Sequence, residues 1–367
     1  MKLECLINKI KPIISASEKV TAKNHSLPIL GLIILEAKNN ILTIKSTNLE
    51  VGLEAQLAVK VFTPGQIAVN AQIFNQFLNL TTKDDDHLEI ELINNNLSLK
   101  TNKSTSTLKT YSTDDFPFIP KINNKEEIII PLPNFITGLK SVIYASATSD
   151  IKPEIASVYI YQHQDNLIFV STDSFRLAEK SIKYNTKLNL PSLIVPIKNI
   201  VEVLKVIEEE SGEIKIKTSE NQISFLTDNF YLTSRVINST FPDYRQIIPQ
   251  EFKTKIEVDR DDLINTLKLA NIFSDKFNQI TIKTIDSKDG FEIYAHNQEV
   301  GDNKTKIKAV ITGEEIEVNF NARYIIDSLS YFTNTKINLC FNEKNKPLLI
   351  LGSDDKSFKY LVMPVNR

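Results

Sequence analysis

The chain has 367 residues, more than a single hydrophobic core usually organises, so two or three domains are expected. Hydrophobic residues make up 42% and charged residues 24%, which excludes a chain that is disordered throughout. The formal net charge of -2 excludes a uniformly basic nucleic-acid-binding surface but is compatible with basic and acidic faces that are kept apart. The two cysteines, Cys5 and Cys340, are too few for a disulfide framework or a thiolate metal site.

The first residues of the chain carry Lys2 and Glu4 among apolar neighbours, unlike the uninterrupted apolar core of a secretory signal. The longest apolar stretches, such as residues 27–35, reach about half the length that a membrane-spanning helix needs. These features predict a cytoplasmic protein with no membrane partner.

Three segments of the chain repeat one order of elements. Each opens with a short apolar strand and an amphipathic helix, at residues 3–7 and from 10, 128–132 and from 135, and 255–258 and from 263. Alternating segments then predict antiparallel hairpins, at residues 32–37 with 41–46, 157–161 with 167–171, and 280–284 with 291–295. A second strand and helix follow, at residues 67–70 with 73–80, 193–196 with 197–207, and 316–319 with 324–332.

Two of the repeats end on similar proline-containing sequences, residues 114–120 and 240–249. Because proline blocks helix continuation, these sequences are interpreted as connectors between domains. The repeat predicts an α+β fold of three similar domains, residues 1–123, 124–250 and 251–367, each with two helices packed on antiparallel sheets. The last residues, 360–365, are unusually apolar for a chain end, so we expect the domain to hold them in place.

The sequence offers little support for catalysis. None of the nine glycines falls in a G-x-G-x-x-G or G-x-x-x-x-G-K pattern, and the four histidines lack metal-ligand spacing. The run Asp84, Asp85 and Asp86 suggests a metal-dependent nuclease as an alternative, but adjacent carboxylates in a turn usually face solvent. We therefore expect no enzyme activity, no cofactor and no metal.

Five short sequences, in this order and spacing, resemble the bacterial DNA polymerase III β subunit, the β sliding clamp family. They are Leu-Pro-Ile-Leu-Gly at 27–31, Ser-Thr-Asn-Leu-Glu at 46–50, Ser-Thr-Asp-Ser-Phe-Arg-Leu-Ala at 171–178, Phe-Pro-Asp-Tyr-Arg at 241–245 and Val-Met-Pro-Val at 362–365. The resemblance spans the whole chain and implies the ring-forming DNA clamp fold. It also implies a non-catalytic accessory subunit that encircles double-stranded DNA and gives the polymerase processivity. A scaffold of the same fold that does not encircle DNA is a second alternative.

A single three-domain chain leaves one open sheet edge in its first domain and another in its third, so a head-to-tail homodimer would close both. By the resemblance, the dimer contact uses one basic and three apolar residues: Lys103, Leu108, Ile272 and Phe273. Lys103 would face acidic residues such as Glu299 or Asp302. Ser106 stands where the family often has an aromatic residue, which bears on the tightness of the dimer.

The resemblance also implies that basic side chains on the helices contact DNA. The candidates are Lys23, Lys140, Lys198, Lys205, Lys268 and Arg323, with Lys9, Lys11 and Arg260 on the same predicted helices or at their starts. Contacts to phosphates carry no sequence information, so they suit sequence-independent sliding. Lys23 lies in a loop where the family usually has arginine.

Finally, the resemblance places a peptide-binding cleft between the second and third domains. Its residues are Ile155, Thr172, Phe175, Arg176, Leu177, Pro242, Ile247, Asn321, Tyr324, Val362, Met363 and Pro364. A mostly apolar pocket of this kind suits Leu and Phe side chains of a short extended peptide. The implied partners are the α subunit of DNA polymerase III, the clamp loader and other proteins with clamp-binding peptides. Phe175 replaces a residue that is often histidine in the family.

Overall fold

The computed structural model describes residues 1–22, 27–81, 86–123, 126–184, 190–285 and 289–365. The chain forms two compact units. The first unit combines Met1–Ile136 with Lys198–Asn238, and the second combines Thr137–Ile197 with Ser239–Arg367. The predicted central domain contributes to both units, and the three domain ranges stay predictions.

The described residues contain six α-helices, with an apolar side that packs into a core. They are α1 (Ile7–Lys19), α2 (Ala71–Leu80), α3 (Leu132–Ile143), α4 (Ile197–Ile207), α5 (Arg260–Ile272) and α6 (Ala322–Leu329). In α1, for example, Ile10 and Ile14 are fully buried one turn apart. Asn70, Asp259 and Asn321 precede α2, α5 and α6, and their side chains accept hydrogen bonds from backbone amides of the first turn.

The strands of the first unit form one antiparallel sheet. In chain order they are β1 (Lys2–Leu6), β2 (Leu32–Lys38), β3 (Ile41–Thr47), β4 (Val51–Ala58), β5 (Lys60–Thr63), β6 (Gly65–Asn70), β7 (His87–Ile93), β8 (Asn96–Lys100), β9 (Thr105–Tyr111) and β10 (Ile128–Pro131). Three further strands come later in the chain: β15 (Glu213–Thr218), β16 (Gln222–Leu226) and β17 (Phe230–Arg235). Their order in the sheet is β10-β15-β16-β17-β4-β3-β2-β6-β9-β8-β7-β1-β5.

The second unit also has one antiparallel sheet. Its strands are β11 (Ser157–His163), β12 (Asn166–Thr172), β13 (Arg176–Lys183), β14 (Leu193–Pro196), β18 (Thr254–Asp259), β19 (Gln279–Thr284), β20 (Gly290–Asn297), β21 (Gly301–Gly313), β22 (Glu317–Asn321), β23 (Lys336–Phe341), β24 (Leu348–Gly352) and β25 (Phe358–Val362). Their order is β14-β11-β12-β13-β25-β24-β23-β18-β21-β20-β19-β22.

In each unit, one strand pair joins strands of two different repeats, and we call these pairs seams. The first seam is β17 against β4 in the first unit, from Phe230 opposite Ala55 to Ser234 opposite Val51. The second seam is β25 against β13 in the second unit, where Val362 lies opposite Arg176. The backbone hydrogen bonds of the two seams make each sheet continuous across two repeats.

The predicted order of elements is confirmed in all three repeats, since every predicted strand, hairpin and helix is present. Several helix boundaries are wrong. The first helix of each repeat begins three residues earlier than expected, at Ile7, Leu132 and Arg260. The last helix was expected to reach residue 332 but ends at Leu329. The backbone amides of Tyr331 and Phe332 donate to Ser328 and Leu329, three residues back, so the helix tightens into a turn. None of the helices in the described ranges is long and apolar enough to cross a membrane.

Candidate protein-binding cleft

The turn between β12 and β13 is built by the side chains of Thr172 and Asp173. Thr172 Oγ1 donates to the Arg176 carbonyl at 2.7 Å, and Asp173 Oδ1 accepts from the amides of Phe175 and Arg176, both at 2.9 Å. Ser174 adopts a φ of 77°, in the left-handed region. These bonds fix the turn in a conformation that leaves Phe175 62% exposed to solvent.

The Arg176 side chain contacts two carboxylates and an aromatic ring, although the neighbouring Phe175 is exposed. Its Nε donates to Asp173 Oδ2 at 3.0 Å and its Nη1 donates to Asp327 Oδ2 at 2.8 Å. The guanidinium also lies 4.5 Å from the centre of the Tyr324 ring, within the range of a cation–π contact. Burial acts to lower the pKa of Arg176, but Tyr360 and the two carboxylates together raise it above its ordinary value. Arg176 is therefore a fixed cation.

An aromatic cluster lies beside Arg176. The rings of Tyr144 and Tyr331 are stacked 4.8 Å apart, and the ring of Tyr360 lies 5.9 Å from Tyr144. Tyr360 donates through its hydroxyl to the carbonyl of Tyr324 at 2.7 Å. Burial raises the pKa of Tyr360 well above its ordinary value, so the hydroxyl stays a hydrogen-bond donor. The three packed rings form a rigid aromatic surface in this part of the second unit.

Residues 363–365, near the chain end, are held by backbone hydrogen bonds, as the sequence predicts. The Met363 amide donates to the Phe175 carbonyl and the Val365 amide donates to the Asn319 carbonyl, both at 2.8 Å. The first of these bonds continues the second seam past Val362 and brings two exposed apolar side chains to one place, since Met363 is 36% exposed. Phe175 and Met363 thus form an apolar rim at the end of the second seam.

Asn321 acts as the cap of α6. Its Oδ1 accepts from the amides of Arg323 and Tyr324, at 2.9 and 3.3 Å, and its Nδ2 donates to the Phe277 carbonyl at 3.0 Å. The cap fixes the first turn of α6 and with it the ring of Tyr324 on Arg176.

The segment at residues 240–249 is anchored by two aromatic side chains. Phe241 stacks on Tyr159 at 4.7 Å, and the Tyr244 hydroxyl donates to Glu179 Oε2 at 2.6 Å. Burial and the neighbouring Glu179 carboxylate raise the pKa of Tyr244 far above its ordinary value. Ile247 is 50% exposed and borders a cavity of about 310 Å³ that Lys253 and Lys346 also line.

All twelve predicted cleft residues lie in the second unit, and they divide by exposure. The buried members are Ile155, Thr172, Leu177 and Val362; the exposed members are Phe175, Pro242, Ile247 and Met363; the half-buried members are Arg176, Asn321, Tyr324 and Pro364. Contacts join Phe175 to Met363, and Arg176 to Tyr324 and Val362. The sequence did not indicate Asp327, which lies 151 residues from Arg176, or Tyr144; only the Asp173 of the Ser-Thr-Asp sequence gave a signal.

The predicted DNA-facing residues lie on helices, with one exception. Lys198 and Lys205 are exposed on α4, Lys268 on α5 and Arg323 on α6, and Lys140 is half-buried on α3. Lys23 lies outside the described residues, as do Asp84 and Asp85 of the acidic run. Arg260 donates to the Phe332 carbonyl at 2.6 Å and to Asp261, so its guanidinium is already engaged.

The predicted dimer residues lie on an open strand and at a helix end. Leu108 is buried on β9, and Lys103 is exposed in the turn before this strand. Ile272, the last residue of α5, is 63% exposed, and Phe273 follows it half-buried. A 63% exposed isoleucine at a helix end is a candidate contact residue.

Family models match the chain in three consecutive segments. Residues 1–120 match the DNA polymerase III beta subunit N-terminal domain, residues 129–243 the central domain and residues 245–366 the C-terminal domain. The predicted family and the expected DNA clamp fold are therefore confirmed.

Curated relatives and solved structures agree with these matches. The chain is 25% identical to the beta sliding clamp of Synechococcus elongatus, over 100% of this chain and 99% of the relative. The crystal structure of the DNA polymerase III subunit beta from Pseudomonas aeruginosa has a TM-score of 0.94 at 23% identity, with 100% of both chains covered. The Thermotoga maritima beta subunit has a TM-score of 0.93, also at 23% identity, over 100% of this chain and 99% of that one. The chain belongs to the DNA polymerase III beta subunit family.

Proposed function

We propose that the protein is a DNA sliding clamp, a non-catalytic accessory subunit of DNA polymerase III that acts in the cytoplasm as a homodimeric ring. The observation that carries the proposal is the second seam, where the Met363 amide bonds to the Phe175 carbonyl and two exposed apolar side chains stand beside a fixed Arg176. An apolar rim next to a few fixed polar groups is the usual form of a peptide-binding site.

The cleft recruits partners through short extended peptides. Phe175 and Met363 would cover the Leu or Phe anchor of such a peptide, and Tyr324 and Arg176 would position its backbone. Partners of this kind are the polymerase α subunit and the clamp loader. Once its peptide is bound, a polymerase re-engages DNA at a high effective concentration, which gives processivity.

We expect the DNA contact to be weak and independent of the base sequence. Exposed Lys198, Lys205, Lys268 and Arg323 on the helices would meet phosphates without reading bases, which permits sliding along double-stranded DNA. A closed ring does not need high affinity, because it cannot leave the duplex sideways. Lys140 would add to this contact from α3.

Two open strand edges support the homodimer. Residues 105–109 of β9 pair with β8 on one side, and residues 301–308 of β21 pair with β20 on one side. Within the described residues, no strand pairs with the other side of either segment. Unpaired edges attract further strands, and joining β9 of one copy to β21 of another would satisfy both.

The test of the function is primer extension on a circular template with the cognate polymerase and clamp loader. Without residues 363–367, we expect short products, because the rim loses Met363. Since this deletion also removes two backbone hydrogen bonds, the double substitution Phe175→Ala with Met363→Ala is tested in parallel. Glu50→Ala with Arg235→Ala, at the equivalent place in the first seam, is the matched control and should leave long products. Full-length products from both cleft variants would contradict the proposal.

Two further measurements address the alternatives. Light scattering during size-exclusion chromatography should give the mass of a dimer; a monomer at micromolar concentration would favour a scaffold that does not encircle DNA. A metal-dependent nuclease would degrade DNA when Mg²⁺ is added, and Ala substitutions at Asp84, Asp85 and Asp86 would abolish this activity. We expect no degradation by the unchanged protein.

A further inference from the structure

In each unit, the connector packs against equivalent strands of the sheet, β2, β3 and β4 in the first unit and β11, β12 and β13 in the second. Four residues before α2, Ile67 lies opposite Leu35. Four residues before α4, Leu193 lies opposite Ile160. The same register gives three further equivalent pairs: Ile34 with Tyr159, Lys45 with Val170, and Glu54 with Glu179. The two units can therefore be compared residue by residue at this place.

In the second unit, a tyrosine of the connector occupies the place over Glu179. The Tyr244 hydroxyl donates to Glu179 Oε2 at 2.6 Å and lies 2.6 Å from the Tyr161 hydroxyl. Lys359 Nζ donates to the other oxygen, Glu179 Oε1, at 2.7 Å. Tyr244 and Glu179 are both buried, so the connector itself satisfies the buried carboxylate.

In the first unit, the connector lacks this tyrosine. Both connectors contain the sequence Phe-Pro, at residues 116–117 and 241–242. The third residue after the phenylalanine is Tyr244 in the second unit but Ile119, which has no hydroxyl, in the first. The first connector leaves a groove of about 690 Å³ against β2, β3 and β4, with Glu54 among its lining residues. We call it the first-unit groove.

Glu54 has an oxygen that the rest of the groove leaves without a donor. Its side chain is only 9% exposed, and its Oε1 accepts from Lys121 Nζ at 2.7 Å. Among the described residues, no donor is bonded to Glu54 Oε2. The corresponding oxygen of Glu179 accepts from the Tyr244 hydroxyl. A nearly buried carboxylate oxygen without a donor favours the binding of a group that supplies one.

The charges that line the first-unit groove are balanced. Glu54 pairs with Lys121 at 2.7 Å, and Glu36 pairs with Lys45 at 3.0 Å. A lysine or arginine that entered the groove would add an unbalanced positive charge, whereas a phenol hydroxyl donates a hydrogen bond and stays neutral. The charge pattern therefore favours tyrosine over a basic side chain.

Apolar side chains complete the groove. Phe116 packs against the core cluster that contains Ile34, and both residues line the groove. Phe118 stands on the rim and is 86% exposed, far more than an aromatic side chain without a partner usually is. An aromatic ring inside the groove would contact these side chains and cover part of Phe118.

We propose that the first-unit groove binds a tyrosine side chain from a segment of a partner protein, in the way that Tyr244 occupies the equivalent place in the second unit. The tyrosine hydroxyl donates to Glu54 Oε2, and the ring packs against Phe116 and Phe118. The groove is larger than one phenol ring and within the usual size of ligand sites, so it also accommodates residues that flank the tyrosine. This site lies in the first unit, whereas all twelve predicted cleft residues lie in the second.

Nuclear magnetic resonance of the full chain, labelled at its isoleucine methyl groups, tests the proposal. The probe is N-acetyl-tyrosinamide, and N-acetyl-phenylalaninamide is its matched control. The tyrosine probe should shift the methyl signals of Ile34 and Ile119, which are assigned with isoleucine-to-valine variants. It should also bind at least about fivefold more tightly, because the phenylalanine probe leaves Glu54 without its donor. Equal affinities would overturn the role of the hydroxyl, and tighter binding of N-acetyl-argininamide would overturn the choice of a neutral side chain.

Substitutions in the groove test its location. Gln56 is exposed and lines the groove, so Gln56→Trp should fill it and abolish the methyl shifts. Glu220→Trp, at an exposed turn of the same unit, is the control and should leave them unchanged. Glu54→Gln should reduce the preference for the tyrosine probe to less than about twofold, because the charged acceptor is lost. Unchanged binding by Gln56→Trp would overturn the site even if Glu54→Gln does not fold.

Two further comparisons separate this site from other sources of binding. The double substitution Phe175→Ala with Met363→Ala changes the predicted cleft and should leave the shifts of Ile34 and Ile119 as they are. A blocked Ala-Tyr-Ala peptide should bind at least about threefold more tightly than p-cresol, the tyrosine side chain without a backbone, since flanking residues also contact the groove. Tighter binding of p-cresol would overturn the partner segment in favour of a small phenolic molecule.

Discussion

The two seams share one backbone design but differ in the side chains that line it. Thr47 and Asn48 form the same turn in the first unit that Thr172 and Asp173 form in the second, and Leu49, like Ser174, has a positive φ. The Arg235 amide donates to the Glu50 carbonyl at 3.1 Å, as the Met363 amide donates to Phe175.

The side chains of those paired residues give the two seams different surfaces. In the first seam the Arg235 and Glu50 side chains form an ion pair at 3.6 Å, and both are more than half exposed. In the second seam, Met363 and Phe175 offer an apolar rim. The backbone therefore builds the same turn and strand pairing at both seams, and the residues at two positions make the end of one seam charged and the end of the other apolar.

Exchanging these residues gives the largest expected effect on peptide binding. Phe175→Glu with Met363→Arg copies the ion pair of the first seam onto the second, so the turn and the strand pairing should remain. We expect the affinity for a clamp-binding peptide to fall at least about 100-fold, about 2.7 kcal/mol, because the apolar anchors are gone. Isothermal titration with a peptide carrying Leu and Phe measures this.

The reverse exchange is the control for that experiment. Glu50→Phe with Arg235→Met changes the first seam only and should leave the affinity for the peptide within about twofold. Equal losses from both exchanges would mean that exposed apolar residues at the second seam do not carry recognition.

The second comparison concerns the arginines of the two seams. Arg176 has a side chain only 13% exposed and is bonded to Asp173 and Asp327, so Arg176→Ala leaves two carboxylates without their cation. We expect the free energy of unfolding to fall by about 3 kcal/mol. Arg235→Ala removes an exposed ion pair and should cost less than about 1 kcal/mol. Urea unfolding of both variants gives the difference; similar values would contradict a structural role for Arg176.

The sequence predicted the elements of both seams and, by its resemblance, named the candidate cleft residues of the second seam, but it did not predict the contacts that fix Arg176. Alternation and helical periodicity are local properties, so the strands, the hairpins and the order of helices followed from short stretches of the chain. The bond from Arg176 to Asp327 joins residues 151 positions apart, and no local pattern pairs them. The sequence predicted Leu80 as a residue of α2 but not its exposure, because an exposed leucine at a helix end has the same sequence pattern as a buried one.

The connector segments that follow the first and second repeats, residues 114–120 and 240–249, are anchored by different kinds of hydrogen bond. In the second unit, the Tyr244 hydroxyl donates to the buried Glu179 carboxylate, whereas in the first unit the Tyr231 hydroxyl donates to the Pro120 carbonyl at 3.1 Å. Tyr244→Phe should lower the free energy of unfolding by about 2 kcal/mol, since hydrogen bonds to charged groups are stronger than neutral ones. Tyr231→Phe is the matched variant and should cost about 1 kcal/mol. A smaller loss for Tyr244→Phe would show that Lys359, 2.7 Å from Glu179, suffices to satisfy the carboxylate.

The smallest expected effect concerns the position where the first seam has Ala55 and the second has Lys180. Lys180 is buried and donates to Ser357 Oγ at 2.7 Å, and burial lowers its pKa below the ordinary 10.5. The folded protein therefore binds the Lys180 proton less tightly than the unfolded chain does. The resulting loss of folding stability is complete at pH values below the pKa of the folded state, and it disappears above pH 10.5, the ordinary pKa that the unfolded chain has. Lys180→Met keeps the packing and should raise the free energy of unfolding near neutral pH by up to about 1 kcal/mol. The gain should shrink as the pH rises towards 10.5. Lys183→Met, at the exposed end of β13, is the control, and a gain at Lys180 that is independent of pH would mean that packing rather than the buried charge is responsible.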